Sequence, residues 1–309
     1  MELLLWFALF IVFLAVLIFS ADRFVKFGSR IGVMLGIPQF VIGITIIALG
    51  TSAPELVTSL FAVMLGTSDF VAGTVVGSNV ANLLFIVGMS ALMVKTIYSK
   101  WNLVKIDIPI LAATTLLLIF TLYDGTVYWY EGLILLAGYA AYIWYFATLH
   151  REEPGIRVHS ESMLPNIIFL LLAIAGVYAG ARVSMLSLIK ISELIGRHTS
   201  FLAATVFAFA TSLPELIVSL AAIRRKNVEL ALGNILGSNV FNSTIILGLP
   251  ALLTPVLVPE SIIVVGIPFL IGAVALYAIS LLDRKISKFE GLYFLLLYAL
   301  FIVSILLFK

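Results

Sequence analysis

Long apolar runs, each cut off by charge, proline or glycine, set the rhythm of this chain. A helix needs about 20 apolar residues to cross a bilayer. The pattern predicts about ten such spans, at 2–20, 37–63, 70–94, 105–122, 127–148, 165–189, 199–222, 229–256, 260–282 and 289–308. The fold class that follows is an all-α membrane protein. The first run, Leu3 to Phe19, follows Glu2 with no basic segment before it and no small-residue cleavage site after it, so it reads as a retained helix. Residues 150–164 open with His150, Arg151, Glu152, Glu153, Pro154 and Gly155 and form the most polar stretch, which reads as a linker. It divides the chain into 1–149 and 165–309, with five spans on either side.

The polar residues inside the spans occur twice. Thr51-Ser52-Ala53-Pro54-Glu55 returns 160 positions later as Thr211-Ser212-Leu213-Pro214-Glu215, and Gly77-Ser78-Asn79-Val80 with Asn82 returns at the same offset as Gly237-Ser238-Asn239-Val240 with Asn242. The alignment runs without a gap from Gly36 and Gly196 to Gly88 and Gly248, matching Leu56 with Leu216, Ser59 with Ser219 and Gly73 with Gly233 on the way. Pressure to stay apolar keeps Leu and Gly; it does not keep Thr, Ser, Pro, Glu and Asn in one register. Five spans per half is an odd number, so the second half enters the membrane in the opposite sense to the first. That is an inverted repeat, the plan of many secondary transporters.

Composition narrows the picture further. Of 309 residues 62% are hydrophobic and 11% charged, against roughly a quarter charged in soluble domains. A net charge of +2 gives no basis for a nucleic-acid partner, and the absence of cysteine removes disulfides, thiol chemistry and cysteine metal sites. When successive loops are assigned to alternate sides, every Lys and Arg except Arg182, Lys190, Arg197 and Lys309 falls on one face. By the positive-inside rule that face is cytoplasmic. The expectation is a multi-pass protein of the cell membrane with a cytoplasmic 150–164 linker and both termini outside. The Arg224-Arg225-Lys226 cluster reads as a topology signal touching anionic lipid. Asp22, Asp69, Asp107, Asp124, Glu131 and Glu229, near span ends, read as solvated headgroup contacts.

The repeated motif carries its own chemistry. Proline removes a backbone donor and clashes with the preceding turn, so Pro54 and Pro214 are expected to break spans 2 and 7, which irregular backbone permits only where it lines a cavity or is buried in protein. Freed carbonyls near Ala48 and Ala208, with the hydroxyls of Thr51, Ser52, Thr211 and Ser212, then supply neutral oxygens. Glu55 and Glu215 supply charge, and no Lys or Arg shares their spans. An unpaired carboxylate buried in apolar surroundings costs several kcal/mol or more, and a bound cation is the natural compensation. Carboxylate, amide, hydroxyl and carbonyl oxygens without His or Cys suit a hard ion such as Ca²⁺ or Na⁺. Ser78 and Asn82, four residues apart, share a helix face, as do Ser238 and Asn242, and the flanking glycines permit close helix approach.

At these residues the chain resembles the sodium/calcium exchanger family of the calcium/cation antiporter superfamily, in its prokaryotic form without a regulatory domain. Gly50 to Glu55 looks like the first family signature and Ala210 to Glu215 like the second, within repeats at 43–88 and 203–248. The resemblance implies exchange of Na⁺ for Ca²⁺ by alternating access, with Ca²⁺ extruded as Na⁺ enters, and sliding of spans 1 and 6 over the other helices. It makes Glu55 and Glu215 the central ligands shared by both ions. Thr51 and Thr211 become backbone carbonyl ligands bordered by Ser52 and Ser212. Ser78 and Ser238, with the carbonyls of Ala48 and Ala208, complete two flanking Na⁺ sites, and Asn82 and Asn242 take the remaining central positions. The chain departs from the family pattern at Asn242, where many exchangers carry Asp, at Ala210 in place of Gly and at Thr74 in place of Asn. Stoichiometry and coupling to Li⁺ or H⁺ stay open on that account. A Ca²⁺/H⁺ antiporter of the same superfamily is the nearest alternative, disfavoured because those relatives tend to carry an additional Glu where this chain has Asn82 and Asn242. A cation channel is the next, disfavoured because the site is complete within one chain, which is expected to function as a monomer. No nucleophile and base pair or phosphate loop accompanies the acids, so no catalytic residues and no cofactor are expected, and the partners are the ions and the bilayer.

Overall fold

The computed structural model describes residues 2–35, 51–94, 96–98, 103–149, 163–196, 199–224, 228–282 and 285–308. The carbonyl of Ala48, the start of span 2, residues 150–162 of the linker and Arg225-Lys226 lie outside the described residues. Among the described residues seven helices are long and apolar enough to cross a membrane, with Ala53–Met64 and Ile108–Leu122 as shorter apolar helices. The chain is a multi-pass, all-α membrane protein.

The first half contains α1 (Glu2–Met34), α2 (Ala53–Met64), α3 (Asp69–Val80), α4 (Val87–Val94), α5 (Leu103–Leu122) and α6 (Trp129–Leu149). The second contains α7 (Met163–Ile195), α8 (Thr199–Leu202), α9 (Ala208–Thr211), α10 (Leu213–Arg224), α11 (Val228–Phe241), α12 (Leu247–Leu253), α13 (Ile267–Leu281) and α14 (Lys288–Leu307). α1 and α7 are each 33 residues long and extend well past the expected ends at 20 and 189. At about 1.5 Å of rise per residue such helices exceed the hydrocarbon thickness, so their charged ends project beyond it. Hydropathy finds where apolar sequence stops, and a helix continues as long as its backbone bonds do.

Four strand pieces of the kind that close membrane loops fix the sense of the two halves. β1 (Thr96–Tyr98) follows α4 and β2 (Thr126–Val127) follows α5, so one crossing separates them; β3 (Val256–Leu257) and β4 (Lys285–Ser287) stand in the same relation around α13. β1 pairs antiparallel with β4, setting Ile97 opposite Ile286, and β2 pairs antiparallel with β3, setting Val127 opposite Val256. The loop after the third span of one half therefore meets the loop after the fourth span of the other. That crossed pairing is what an inverted repeat produces. In the sequence, Lys95 and Lys100 flank β1 and Arg284, Lys285 and Lys288 lie at or next to β4, while Asp124, Glu131 and Glu260 lie within a few residues of β2 or β3.

Helix packing interlocks the halves in the same crossed way. α4 packs on α14 and α12 on α6. At the first crossing a Cβ built on Gly88 falls 2.9 Å from the Gly291 carbonyl oxygen, and at the second a Cβ on Gly132 falls 2.8 Å from that of Gly248. Only glycine lets the backbones come this near. α3 lies equally close to the start of span 7, where a Cβ on Gly77 would fall 2.5 Å from the Ala204 carbonyl oxygen. One apolar core joins residues of α3–α6 and α11–α14. A second, smaller one joins α1 and α7 with α2 and the first part of span 7, through Phe10, Leu17, Val177, Met185 and Phe207.

Candidate functional site

Span 7 is a chain of short pieces: α8, a π-helical stretch Ala203–Phe207, α9, and then α10 after Ser212, whose backbone sits at φ −79°, ψ −2°. Span 2 shows the same interruption at Ser52, φ −94°, ψ 9°, with α2 beginning at Ala53. Pro54 and Pro214 each occupy the second position of the helix that follows. Their missing N–H costs nothing there, because the first helical amides have no partner within the helix. The acids come one residue later, in the first turn of α2 and of α10, where the amide dipoles favour negative charge. The Ala208 carbonyl is not emptied by the interruption: it accepts the Ser212 N–H at 3.0 Å and lies 3.4 Å from the Thr211 hydroxyl, which also donates to it. Proline instead withdraws the donor from the residue four before it, Ala210.

The two motifs meet. Glu55 and Glu215 are each 1% exposed and close enough for the charge of one to act on the other. Each acid is met by hydroxyls of the opposite half. Ser52 Oγ donates to Glu215 Oε1 at 3.4 Å and the Thr51 hydroxyl also reaches Glu215, while the Thr211 hydroxyl reaches Glu55. Thr211 Oγ1 is shared with the Phe207 carbonyl at 2.9 Å, the back-bond that hydroxyls commonly make within a helix. Among the described residues no basic side chain pairs with either acid.

The second motif lines up beside the first. Ser78 lies in α3 and Asn82 in the π-helical stretch Ala81–Ile86 that follows it; Ser238 lies in α11 and Asn242 opens the π-helical stretch Asn242–Ile246. All four are buried. Glu55 Oε2, Glu215 Oε2, Ser78 Oγ, Ser238 Oγ, Ser212 Oγ and the amide oxygens of Asn82 and Asn242 have no hydrogen-bond partner. Buried polar atoms are nearly always paired, so a symmetric set of unpaired oxygens, all able to accept, marks a place built for something that brings positive charge.

Sequence reasoning passed over several residues. Asn79 Nδ2 donates across the halves to Ser243 Oγ at 2.8 Å, and Asn239 Nδ2 to the Ile235 carbonyl at 2.7 Å, so both amide oxygens are turned away from these bonds and remain unpartnered. Their presence in the repeated string was the signal. Asn234 reaches Ser219 Oγ at 3.3 Å and braces the turn after Glu215. Asp69 is not a solvated end group: its carboxylate accepts the Thr199 hydroxyl at 2.7 and 2.9 Å and the Ser200 N–H at 3.1 Å, tying the start of α3 to the start of span 7.

Known proteins resemble this chain over most of its length. The family model described as sodium/calcium exchanger protein matches residues 5–148 and 165–307. The inner membrane protein YrbG of Escherichia coli is 34% identical over 80% of this chain and 80% of its own length. The sodium/calcium exchanger MaX1 of Methanosarcina acetivorans is 30% identical over 94% of this chain and 95% of its own. Among solved structures, the sodium-calcium exchanger NCX_Mj superposes with a TM-score of 0.70 at 28% identity, covering 98% of this chain and 99% of that one. With the inverted fold, the twin acid motifs and these matches in agreement, the chain belongs to the sodium/calcium exchanger family, whose members are membrane transporters and not enzymes.

Proposed function

We propose that this chain exchanges Na⁺ for Ca²⁺ across the cell membrane by alternating access. The observation that carries the reading is the reciprocal contact of the acid motifs, each carboxyl facing hydroxyls of the other half, amid acceptor oxygens that have no protein partner. Two carboxylates balance one Ca²⁺, and an all-oxygen pocket selects hard cations over those that prefer nitrogen or sulfur. Glu55 and Glu215 hold the shared centre with Asn82 and Asn242. Thr51 and Thr211 border it with Ser52 and Ser212. Ser78 and Ser238, with the backbone oxygens of Ala48 and Ala208, form the flanking Na⁺ positions. Ca²⁺ and the full set of Na⁺ ions compete for the same carboxylates, so one occupancy leaves as the other enters on the opposite side, and the exchange is coupled without ATP.

In this reading the halves are 1–149 and 165–309, the 150–164 linker and the β1–β4 side are cytoplasmic, and both termini are outside. The run of basic residues flanking β1 and β4 in the sequence supports that orientation. One chain suffices for transport, since each acid finds its partners within it.

The decisive experiment is radioactive Ca²⁺ uptake into proteoliposomes loaded with Na⁺, compared with K⁺, Li⁺ and a proton gradient. Uptake follows the Na⁺ gradient, and Glu55→Gln or Glu215→Gln lowers it at least a hundredfold. Uptake driven by protons and indifferent to Na⁺ replaces the reading with Ca²⁺/H⁺ exchange, and uptake untouched by either Gln variant removes the site assignment.

A further inference from the structure

Between α1 and α7, away from the acid motifs, lies a groove of about 430 Å³ lined by Phe19, Ser20, Arg23, Phe27, Phe169, Leu172 and Ala173. Its floor is closed: Ser20 and Ala173 are 8% and 5% exposed, and the rings of Phe27 and Phe169 stack across the two helices with centroids 5.0 Å apart. Its walls are open and apolar, with Phe19, Phe169 and Leu172 all exposed. Its one cation is Arg23, whose guanidinium lies over the Phe19 ring at 4.5 Å. Asp22 stands 3.9 Å from it and is itself mostly exposed, so the pair is weak and leaves the planar donors of Arg23 available. The apolar run of α1 ends at this point, and Lys26 and Arg30 follow on the next turns.

We propose that this groove is a binding site for an anionic phospholipid, with the phosphate held by Arg23 and the acyl chains laid along Phe19, Phe169 and Leu172. Three features select that occupant. The groove faces the lipid side of a membrane helix pair, so a water-soluble anion does not reach its apolar walls. Arg23 sits where apolar sequence gives way to charge, the depth at which headgroup phosphates lie, and a guanidinium matches a phosphate through paired donors. The helix end carries Arg23, Lys26 and Arg30 against the single acid Asp22, so a lipid with net negative charge is favoured over one whose own ammonium cancels its phosphate.

The test reads lipid binding directly and is independent of ion transport. The full-length protein is released from bilayers of equal parts phosphatidylglycerol and phosphatidylcholine, and retained lipid is measured by native mass spectrometry. The wild type keeps phosphatidylglycerol at least fivefold over phosphatidylcholine. Arg23→Gln brings the ratio near one, Arg23→Lys keeps part of it, and Leu172→Trp, which fills the groove at an exposed position without changing charge, lowers retention of both lipids. Arg182→Gln, at an exposed basic residue of α7 toward its other end, leaves the ratio unchanged. Equal retention of the two lipids by the wild type, a ratio unaltered by Arg23→Gln, or a lipid-free two-chain species in place of the lipid adduct overturns the proposal.

Discussion

Spans α1 and α7 and the spans built on α3 and α11 are matching pieces of the same inverted repeat, yet they are buried to very different degrees. In the most apolar stretch of α1 and of α7 only 22% and 28% of residues are buried, against 94% in the span from Asp69 to Met93 and 83% in that from Ala231 to Leu253. α1 and α7 spend their contacts chiefly on each other, and their shared core reaches the rest through α2 and the start of span 7. The inner spans are held by glycine crossings, the Asn79–Ser243 bond and the paired strands at both ends. The pair can therefore shift along the core with few contacts exchanged, whereas moving α3 against α11 breaks the site itself. If alternating access operates here, the pair is the part that moves.

Cross-links test that division most severely, and the chain contains no cysteine of its own to interfere. Tying α1 to α7 with Phe27→Cys and Phe169→Cys, whose parent rings stack at 5.0 Å, is expected to leave Ca²⁺ uptake within about twofold of the reduced form. Tying α7 to α2 with Phe61→Cys and Tyr178→Cys, whose parent rings meet at 5.1 Å, is expected to stop uptake until reductant is added. A blocked first pair and an active second pair reverse the roles of the two regions.

Glycine substitutions sharpen the same contrast in stability. A Cβ on Gly88 meets Leu295 Cγ at 2.8 Å and the Gly291 carbonyl oxygen at 2.9 Å, between helices that the β1–β4 strands also hold. Gly88→Ala is expected to cost about 1–3 kcal/mol, the range for overpacking a fixed interface. A Cβ on Gly180 meets the Leu17 backbone nitrogen at 2.7 Å, an equally hard contact, but α1 has lipid on its other side and room to yield. Gly180→Ala is therefore expected to lower the thermal midpoint by less than half as much, measured by heating and size-exclusion chromatography. Equal losses remove the distinction between a clamped core and a yielding pair.

How far this was legible beforehand follows from what each signal encodes. The duplicated Glu, Thr, Ser and Asn declared themselves because apolar spans make any polar residue conspicuous, and their fixed 160-residue offset gave the symmetry. The π-helical stretches holding Asn82 and following Phe241 were not legible, since one extra residue in a turn leaves apolar patterning unchanged. Thr244 marks the second of these, and Thr205 the stretch Ala203–Phe207 in span 7: each hydroxyl donates to a carbonyl four residues back, Val240 at 2.6 Å and Phe201 at 2.7 Å. Asp69 was misread because an acid at a span end looks the same in sequence whether it meets water or the Ser200 amide. The lengths of α1 and α7 escaped for the reason already given, that helices run on past their apolar stretch. Crossed strand pairing was beyond reach, because two- and three-residue strands have no period to detect.

The gentlest test removes a cap from the core and asks whether transport notices. Ser287 ends β4 and starts α14, where its Oγ accepts the Glu290 N–H at 3.3 Å while Glu290 Oε2 accepts the Ser287 N–H at 2.7 Å, a complete capping box. Ser287→Ala leaves the strand register with Thr96 intact, since that bond set is backbone, and deletes one half of the box. The expected cost is about 1 kcal/mol of stability, visible as a small fall in thermal midpoint, with the rate of Ca²⁺ uptake unchanged if α14 belongs, as we propose, to the part that stays still. A variant that keeps its thermal midpoint but slows exchange several-fold would mean that the start of α14 moves during the cycle. The boundary between moving and fixed elements would then have to be drawn inside the core, at β4, rather than between α7 and α2.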